Sequence, residues 1–455
     1  MFTRRTLLAA AAALPLRAAA PKPYGAVPSA RQLAWHSTET SAFLHFTVNT
    51  FTDKEWGYGD EDPNIFHPER FDADAIVAAL ADAGMRGVIL TAKHHDGFCL
   101  WPTKTTGHCI SASSWRNRKG DVVRDVADAA RRRNLKFGVY LSPWDRNNPA
   151  YGTPKYIEIY RAQLTELLTG YGPIFEVWHD GANGGDGYYG GAREKRTIDK
   201  RTYYDWPHTW ELVRKLQPGA VIFSDIGPDI RWVGNERGIA GDPCWATYDP
   251  VAADGGAASP GNVREKQSPV GTRNGSHWLP AECDVSIRPG WFWHERENAR
   301  VKTPAQLIDL YYQSVGRGAN LLLNVPPNRD GLLSPEDVAS LKAFGDYRRT
   351  TFEKDLAAGA KVHKKAEEIT VELRRPATFR VIRVREDIRY GQRIDSIAVD
   401  RWDGGNWQEF AAATSVGPRR LIRLENAVTA DRLRLRVKAS APPLVSEFAL
   451  FAEKN

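Results

Sequence analysis

Short apolar runs alternate with amphipathic, helix-like segments from residue 40 to about residue 345 of the chain. Seven runs predict strands: AFLHFTV, GVILTAKHH, KFGVYLSP, IFEVWHD, AVIFSDIG, HWLPAECDVSI and ANLLLNVPP. Between several of them, segments such as DADAIVAALADAGM and DVVRDVADAARRRN carry apolar residues at helical spacing. This order predicts an α/β fold, a (β/α)8-type barrel over residues 30–350, with one strand unplaced. A doubly wound sheet fits the same alternation, although no glycine-rich phosphate loop follows the first strand.

The pattern shortens beyond residue 358 to runs such as EITVELRR, TFRVIRVRE, SIAVDRWDG, RLIRLE and RLRLRVKAS. Alternating runs separated by polar turns are typical of antiparallel strands. Residues 358–455 are therefore predicted to form a C-terminal β-sandwich domain. Such a domain could bind carbohydrate or support the barrel, and the sequence leaves both roles open.

The N-terminal segment MFTRRTLLAAAAALPLRAAA combines two arginines, an apolar run and a stretch of small residues. This combination is typical of a secretory signal, and the paired arginines resemble the twin-arginine export type. The apolar run is too short to span a bilayer, so the mature protein is expected to have no membrane span. Residues 1–20 are thus predicted to be a signal peptide, and the protein to be periplasmic or secreted.

Composition narrows the classes of partner. The net charge of +7 comes from 62 basic and 55 acidic residues spread along the chain, so no nucleic-acid partner is expected. Four cysteines occur without a CxxC pair, which indicates neither a disulfide scaffold nor a thiolate metal site. The aromatic content of 11%, with 15 Trp, favours surfaces that stack on sugar rings.

Polar side chains collect at the ends of the first four predicted strands. His45 ends the first, His94 and His95 the second, Tyr140 the third and Asp180 the fourth. The C-terminal strand ends of a (β/α)8 barrel meet on one face, where the active sites of this fold lie. Four successive strand ends with such side chains predict a single catalytic site.

Three chemistries could use this site. A metal hydrolase would draw on both histidines, Asp96 and Asp180. Adjacent histidines on an extended strand point to opposite faces, however, so no metal or other cofactor is expected. A Ser-His-Asp hydrolase would need a GxSxG elbow, which the sequence lacks. Glycoside hydrolysis needs two carboxylates, hydroxyl-binding groups and an aromatic wall, and it fits best.

The motifs HFTVNTFTDKEW, AKHHDGFCLW, KFGVYLSPWD, EVWHDGA, VGNERG and NLLLNVPPNRDGLLSP resemble, in order, those of the α-L-fucosidases of glycoside hydrolase family 29. The resemblance covers about residues 40–345 and extends to the C-terminal sandwich. It implies that Asp180 is the nucleophile, preceded by His179 where the family commonly has Phe. It also implies the fucose-binding residues His45, Glu55, Trp56, His94, His95, Tyr140, Trp178 and Trp291.

The acid/base has two candidates, Glu236 in VGNERG and Glu282 in LPAECDVSI. Glu282 lies in a strand-like run, whereas Glu236 lies on a glycine-flanked loop, where a carboxylate is usually a solvated surface group. The segment RWVGNE resembles the one that bears the acid/base in the subgroup specific for α-1,3/1,4-linked fucose. That resemblance implies Glu236 as the acid/base and leaves Glu282 a structural or leaving-group contact.

The predicted function is retaining, exo-acting hydrolysis of terminal α-1,3/1,4-linked L-fucose from a branched oligosaccharide or glycoconjugate, by double displacement. Two alternatives stay open. One is a barrel hydrolase for another sugar, such as a galactosidase. The other is a non-catalytic fucose-binding lectin, which would not need both carboxylates.

Overall fold

The computed structural model describes residues 20–365 and 367–453 of the chain. The predicted signal peptide, except for its last residue, lies outside the described residues. Within them, no helix is both long and apolar enough to cross a membrane.

Eight parallel strands close into a barrel in which each strand pairs with its neighbours along the chain and the first pairs with the last. The strands are β1 (Thr40–Leu44), β2 (Gly87–Lys93), β3 (Lys136–Leu141), β4 (Glu176–Trp178), β5 (Val221–Ser224), β6 (Ile230–Trp232), β7 (Ala281–Ser286) and β8 (Asn320–Asn324). Phe43, Ile89 and Leu322 are among the buried side chains that fill the interior. The structure confirms the (β/α)8-type barrel.

The described part of the chain contains eight α-helices. They are α1 (Ala30–His36), α2 (Val48–Thr52), α3 (Ala73–Asp82), α4 (Val122–Arg132), α5 (Pro154–Gly170), α6 (Trp206–Leu216), α7 (Pro304–Gln313) and α8 (Pro335–Phe352). The Asp72 side chain caps α3 by accepting a hydrogen bond from the Ala75 amide. The amphipathic helix α4 packs its apolar face on β2 and β3, as its pattern predicts.

The strand that the sequence left unplaced is β6. Only residues 225–229 separate it from β5, and they include no helix. The two strands are nevertheless parallel, with Phe223 opposite Ile230 and Ser224 opposite Arg231. A parallel connection usually contains a crossover of a dozen residues or more. Because β6 has three residues, lies beyond the run AVIFSDIG and has no helix before it, the alternation of strands and helices does not mark it as a separate element.

The run HWLPAECDVSI contains two elements rather than one strand. His277–Trp278 pairs antiparallel with Thr247–Tyr248, and the barrel strand β7 starts only at Ala281. Pro280, which lies between them, has no amide hydrogen with which to continue a strand ladder. Glu282 and Asp284 lie two residues apart on β7 and therefore share one side of the strand.

The C-terminal domain is a six-stranded antiparallel sheet. Its strands are β9 (Lys361–Lys365), β10 (Glu368–Glu386), β11 (Ile394–Trp402), β12 (Trp407–Ala413), β13 (Arg420–Ala439) and β14 (Val445–Phe451). The runs EITVELRR and TFRVIRVRE, separate in the sequence pattern, form one long strand, β10, and the runs RLIRLE and RLRLRVKAS likewise form β13. The pairing of β10 with β13 shifts register near Ala377 and Val381. Val371, Val399 and Leu435 belong to a hydrophobic core of its own. A barrel followed by a separate β domain confirms the predicted fold class.

Ion pairs join the sheet domain to the N-terminal end of the barrel. Glu39, which precedes β1, binds Arg385 and Arg419 of the sheet domain. This end lies opposite the C-terminal strand ends that carry the predicted site. The contact therefore supports the barrel away from that site.

Candidate active site

The C-terminal ends of β1 to β4 bring the predicted polar residues together. His45 directly follows β1, His94 and His95 follow β2, Tyr140 lies in β3, and Asp180 comes two residues after β4. The ring centroids of His45 and Tyr140 are 6.0 Å apart, and those of His94 and Tyr140 are 5.7 Å apart. These side chains form one cluster at the barrel mouth, in agreement with the strand-end pattern.

Two hydrogen-bond donors hold the Asp180 carboxylate. The Tyr140 hydroxyl donates to Oδ2 at 3.0 Å, and the Ala182 amide donates to Oδ1 at 2.7 Å. His95 Nε2 lies 3.9 Å from the same Oδ2, and the Asp180 side chain is 25% exposed. Burial, together with the charge of Asp180, raises the pKa of Tyr140 well above its usual range, so the hydroxyl keeps its proton. Asp180 is thus a fixed carboxylate that a substrate can reach.

His45 is a neutral ring with a free acceptor nitrogen. Its Nδ1 lies 2.9 Å from Asn324 Oδ1, while the Asn324 amide nitrogen donates to Ser286 Oγ and to the Trp291 carbonyl. An amide oxygen only accepts, so His45 Nδ1 carries the proton and Nε2 is left with a lone pair. Burial lowers the pKa of His45 to about 3.

His95 has the same tautomer as His45, with the proton on Nδ1, but a different neighbour fixes it. The Ser142 hydroxyl donates its single proton to the Trp144 carbonyl at 2.7 Å, and Ser142 Oγ lies 2.7 Å from His95 Nδ1. Nδ1 of His95 must therefore be the donor, which leaves Nε2 as an acceptor near Asp180. Burial lowers the pKa of His95 to about 4. A neutral acceptor of this kind suits a sugar hydroxyl, which donates to it.

His94 lies against His95, with ring centroids 4.1 Å apart. β2 ends at Lys93, so both histidines lie in the following turn and the alternation of a strand no longer separates them. The premise that they point to opposite faces is wrong for this pair. His94 Nδ1 is buried without a partner among the described residues. In the same part of the chain, no group of three or more His, Cys, Asp and Glu could hold a metal ion.

Trp178 forms a wall of the site. Its ring stacks on Phe223 at 4.0 Å and on Tyr140 at 5.3 Å between centroids. Its indole Nε1 donates to Glu282 Oε1 at 3.0 Å. Stacking and the hydrogen bond together fix the plane of the ring.

The loop after β7 holds Glu55 and Trp291 side by side. Glu55 accepts hydrogen bonds from the amides of Trp291 at 2.8 Å and Phe292 at 3.2 Å. Glu55 Oε1 also lies 2.6 Å from His294 Nε2. The Trp291 ring lies 5.1 Å from the ring of His45. Both residues therefore belong to the cluster that the resemblance implies.

Trp56 is the exposed aromatic residue of the site. Its side chain is 53% exposed, and its ring meets those of His95 and Trp144 edge-on at 5.3 and 5.6 Å. A large exposed ring next to buried polar groups is a suitable surface for stacking on a sugar.

A cavity of about 290 Å³ opens beside Asp180. Trp178 and Trp232 supply much of its apolar surface, and five carboxyl groups line it: Asp180, Asp225, Glu236, Glu265 and Asp284. The cavity adjoins Asp180, so it is space that a substrate can occupy next to this carboxylate.

Glu236 is exposed on the loop after β6 and lines this cavity. Partial burial of its carboxyl raises the pKa of Glu236, and the negative charges of Asp180 and Glu55 act in the same direction, whereas a hydrogen bond with the Trp291 side chain opposes them. A raised pKa keeps the carboxyl protonated to higher pH, which a general acid requires.

Glu282 lies deeper in the barrel than this cavity. It is 1% exposed, and its carboxyl binds the indole of Trp178. Asp284, two residues further along β7, lines the cavity in its place. The leaving-group contact that the sequence left open for Glu282 is incompatible with this burial.

Sequence reasoning missed Asp225 and Asp284. Asp225 directly follows β5, so the strand-end rule that found Asp180 could have found it. Asp284 shares a strand face with Glu282 and lies one step nearer the barrel mouth. Trp232 Nε1 donates to Asp284 Oδ1 at 2.7 Å. Burial raises the pKa of Asp284 well above its usual range, and the charge of Glu236 adds to this effect.

Asp225 packs closely against the turn that carries the nucleophile. A Cβ placed on Gly181 would lie 2.4 Å from Asp225 Oδ2, so the residue after Asp180 has to be glycine in this arrangement. The Gly261 amide donates to the same oxygen at 2.6 Å. Burial raises the pKa of Asp225 to about 7, and the charge of Asp180 contributes.

His179 faces away from the site. It is completely buried, its Nδ1 lies 2.9 Å from the Tyr160 hydroxyl, and its ring lies 5.0 Å from that of Trp206. Tyr160 is on α5 and Trp206 on α6, so the imidazole packs between the barrel and its helices. Replacing the usual Phe by His leaves the polarity of the sugar pocket unchanged.

A larger cavity, of about 770 Å³, lies on the sheet domain. Its lining consists mainly of small residues such as Ala398 and Ala412 and charged residues such as Arg436 and Lys438, without an aromatic ring among the described residues. It lacks the aromatic surface found beside Asp180, so the smaller cavity is the better candidate for catalysis.

Known proteins resemble this chain along most of its length. A family model described as Alpha-L-fucosidase matches residues 24–351. The chain is 42% identical to "Alpha-L-fucosidase 1" of Arabidopsis thaliana, in a match that covers 95% of this chain and 89% of the relative.

Two solved structures show the same architecture. A glycoside hydrolase 29 family member from an unknown rumen bacterium matches with a TM-score of 0.89 and 44% identity, over 95% of this chain and 78% of that one. A GH29 fucosidase of Ruminococcus gnavus in complex with fucose matches with a TM-score of 0.84 and 30% identity, over 96% and 97% of the two chains.

Proposed function

Because this chain belongs to the α-L-fucosidase family, glycoside hydrolase family 29, we propose that it releases terminal α-1,3- or α-1,4-linked L-fucose from branched glycans with retention of configuration. Membership of this family makes the chain a glycoside hydrolase. It also favours fucose over another sugar and argues against a purely lectin-like role.

The observation that carries the proposal is the arrangement of two carboxyl groups around one cavity. Asp180 is a carboxylate fixed by Tyr140 and Ala182, and Glu236 is a carboxyl with a raised pKa on the lining of the same cavity. A retaining glycosidase needs one fixed nucleophile and one group that donates and then accepts a proton.

In the first step, Asp180 attacks the anomeric carbon while Glu236 protonates the departing glycosidic oxygen. The product is a covalent β-fucosyl ester on Asp180 and the free leaving-group sugar. In the second step, the Glu236 carboxylate takes a proton from water, which attacks the same carbon and releases α-L-fucose.

The buried groups around Asp180 recognise the sugar. The acceptor nitrogens of His45 and His95 bind hydroxyl protons, and a sugar without those hydroxyls leaves buried polar atoms unpaired. Trp178 and Trp56 supply the apolar surface for the ring and methyl group.

Proton NMR of the first product tests the stereochemistry. We expect α-L-fucose to appear first and β-L-fucose only later, by mutarotation. Initial release of β-L-fucose would exclude double displacement, because two inversions restore the starting configuration.

Comparative kinetics test the linkage. We expect kcat/KM for a Lewis-type trisaccharide to exceed that for 2'-fucosyllactose and for an aryl α-L-fucoside. The resemblance of the segment RWVGNE to the α-1,3/1,4 subgroup supports this order. Faster cleavage of 2'-fucosyllactose would contradict it.

We also propose that the protein is exported, on the basis of the paired arginines and apolar run before residue 20. Intact-mass measurement of the protein recovered from the periplasm or medium of an expressing bacterium tests this. We expect the mass of a chain that lacks about the first 20 residues. A full-length chain found only in the cytoplasm would contradict export.

A further inference from the structure

A second pair of carboxyl groups lies inside the barrel beneath the sugar site. Glu176 on β4 and Glu282 on β7 are 0% and 1% exposed, and Glu176 Oε1 is buried without a hydrogen-bond partner among the described residues. Each also accepts a hydrogen bond from an indole. Trp35 Nε1 donates to Glu176 Oε2 at 3.1 Å, and Trp178 Nε1 donates to Glu282 Oε1 at 3.0 Å.

Two buried carboxyl groups whose charges act on each other cannot both be ionised without a large cost, so at least one of them keeps its proton. Burial raises the pKa of Glu176 well above its usual range, with the charge of Glu282 acting in the same direction, and burial raises the pKa of Glu282 to about 7. The pair therefore carries two protons in acid and one proton above neutral pH.

The charged groups around the pair come from three strands or loops and from two helices, α1 and α6. The negative neighbours are Asp229 in the loop before β6 and Asp284 on β7. Asp229 is bound by Arg31 and Arg214. Lys136 at the start of β3 is the nearby cation. None of these groups hydrogen-bonds the pair in the described structure, so the pair is the link between Trp35 and Trp178.

Trp178 connects this pair to the nucleophile. Its ring stacks on Tyr140 at 5.3 Å between centroids, and the Tyr140 hydroxyl donates to Asp180 Oδ2 at 3.0 Å. Only the indole N–H of Trp178 is available to fix the rotation of the ring within its stack, and that N–H binds Glu282. A change at Glu282 can therefore reach both the wall of the sugar pocket and the hydrogen bond to the nucleophile.

We propose that Glu282, paired with Glu176, is a positioning residue: the carboxyl pair anchors the Trp178 indole, which keeps the sugar pocket shaped and Tyr140 in place to hold Asp180. The proposal rests on the proposed fucosidase function for its kinetic part. Its thermodynamic part, the shared proton, is independent of that function.

Two substitutions separate anchoring from simple filling of space. In Glu282→Gln, the amide oxygen still accepts from the Trp178 N–H, and the side chain no longer ionises. In Glu282→Leu, the volume is kept, but the Trp178 N–H loses its acceptor. With dinitrophenyl α-L-fucoside at pH 6, we expect kcat and KM of Glu282→Gln within about twofold of wild type. For Glu282→Leu we expect KM to rise about tenfold and kcat to fall several-fold, as for the loss of a buried hydrogen bond.

The pH dependence of unfolding tests the shared proton in the same proteins. A carboxyl whose pKa rises from 4.5 in the unfolded chain to about 7 in the folded one contributes stability that is complete below pH 4.5 and is lost as pH rises to 7. Glutamine does not titrate. We therefore expect Glu282→Gln to gain stability relative to wild type between pH 5 and pH 8 in urea denaturation.

Equal kinetic damage in Glu282→Gln and Glu282→Leu, or wild-type kinetics in Glu282→Leu, would overturn the positioning role. An unchanged stability difference between wild type and Glu282→Gln at pH 5 and pH 8 would overturn the shared proton. If Glu282→Leu does not fold, Glu282→Ala, which also removes the acceptor for the Trp178 N–H, takes its place in the kinetic test, and the Gln variant still decides the shared proton. If wild type cleaves no α-L-fucoside, the proposed function fails, while the unfolding data still decide whether the pair exists.

Discussion

The two halves of the barrel contribute to the site in different ways. The first half, β1 to β4, carries His45, His95, Tyr140 and Asp180 within two residues of a strand end or inside a strand. Three of these side chains are at most 4% exposed. The second half, β5 to β8, contributes Glu236 from an exposed loop four residues after the short strand β6.

This difference matches two chemical tasks. The nucleophile and the sugar-binding groups act on the same sugar in every substrate, so they benefit from a fixed geometry on rigid strands. The acid/base has to reach the oxygen of a leaving group that differs between substrates, and a loop can follow that group. We therefore expect substitutions in the first half to affect all substrates alike, and those in the second half to depend on the leaving group.

The largest effect is expected for Asp180→Ala. Removal of the nucleophile should lower kcat by about 10⁴-fold or more on every fucoside. The side chain is 25% exposed and packs no core, so the unfolding temperature should stay within a few degrees. Azide can enter the vacated space and attack from the same face, so it should restore turnover as β-fucosyl azide. An α-azide, or activity that survives on one substrate class, would contradict the assignment.

Glu236→Ala should separate the substrates. Kcat on a natural glycan should fall by about 10² to 10⁴-fold, because its oxygen leaves poorly without a proton. Formation of the fucosyl-enzyme from a dinitrophenyl fucoside should be spared, since that group leaves as an anion. Azide then attacks the β-linked intermediate and should give α-fucosyl azide. The pKa of Glu236 is raised, so the alkaline fall of kcat/KM in the wild type reports its ionisation. Glu236→Ala should therefore lack this alkaline fall.

Glu265→Gln is a matched control for Glu236, since this carboxyl lines the same cavity. It should show no dependence on the leaving group's acidity. If it reproduces the pattern of Glu236→Ala, the acid/base is Glu265, which lies later in the same connection between β6 and β7.

The same contrast explains what the sequence could predict. In the first half, a clear helical pattern follows each of the first three strands, so the strand ends and the residues on them can be located. The pattern locates Tyr140 and Asp180 in this way. It does not predict the hydrogen bond between them, because the spacing of two residues on different strands gives no interatomic distance.

In the second half, the local signals fail. β6 follows β5 without a helix, and Pro280 divides one apolar run into a ribbon strand and β7. Glu282 is a catalytic candidate by sequence alone because alternation predicts which face of a strand a residue occupies, but not its depth in the barrel. Glu236 is predicted only through the resemblance, since a carboxylate on a loop belongs to no periodic pattern.

A smaller but uniform effect is expected for Tyr140→Phe. This change removes the hydroxyl that donates to Asp180 at 3.0 Å and keeps the ring that stacks on Trp178. A hydrogen bond to a charged group contributes about 1.5–3 kcal/mol, so kcat should fall roughly tenfold to a hundredfold on all leaving groups. Tyr248→Phe is the control, because that buried hydroxyl bonds Ser268 instead. Equal losses of kcat in both variants, or a loss of kcat only on natural glycans, would contradict the uniform effect expected for the first half of the barrel.

The smallest effect is expected for His179→Phe, next to the nucleophile in sequence. The imidazole packs against Tyr160 and Trp206 behind the strand, and its Nε2 is buried without a hydrogen-bond partner in the described structure. The Tyr160 hydroxyl keeps its bond to the Leu141 carbonyl when the ring is replaced. Phenylalanine removes an unpaired buried polar atom, so stability should be equal or slightly higher.

Because the side chain of His179 never reaches the pocket, kcat/KM should stay within about twofold for every leaving group. His95→Phe should in contrast raise KM strongly. His95 follows β2 and lies inside the pocket, so this change removes an acceptor for a sugar hydroxyl. A large loss of kcat/KM in His179→Phe at unchanged stability would show that packing between β4 and its helices affects the sugar pocket. Rigidity of the strands β1 to β4 would then not explain why substitutions in this half affect all substrates alike.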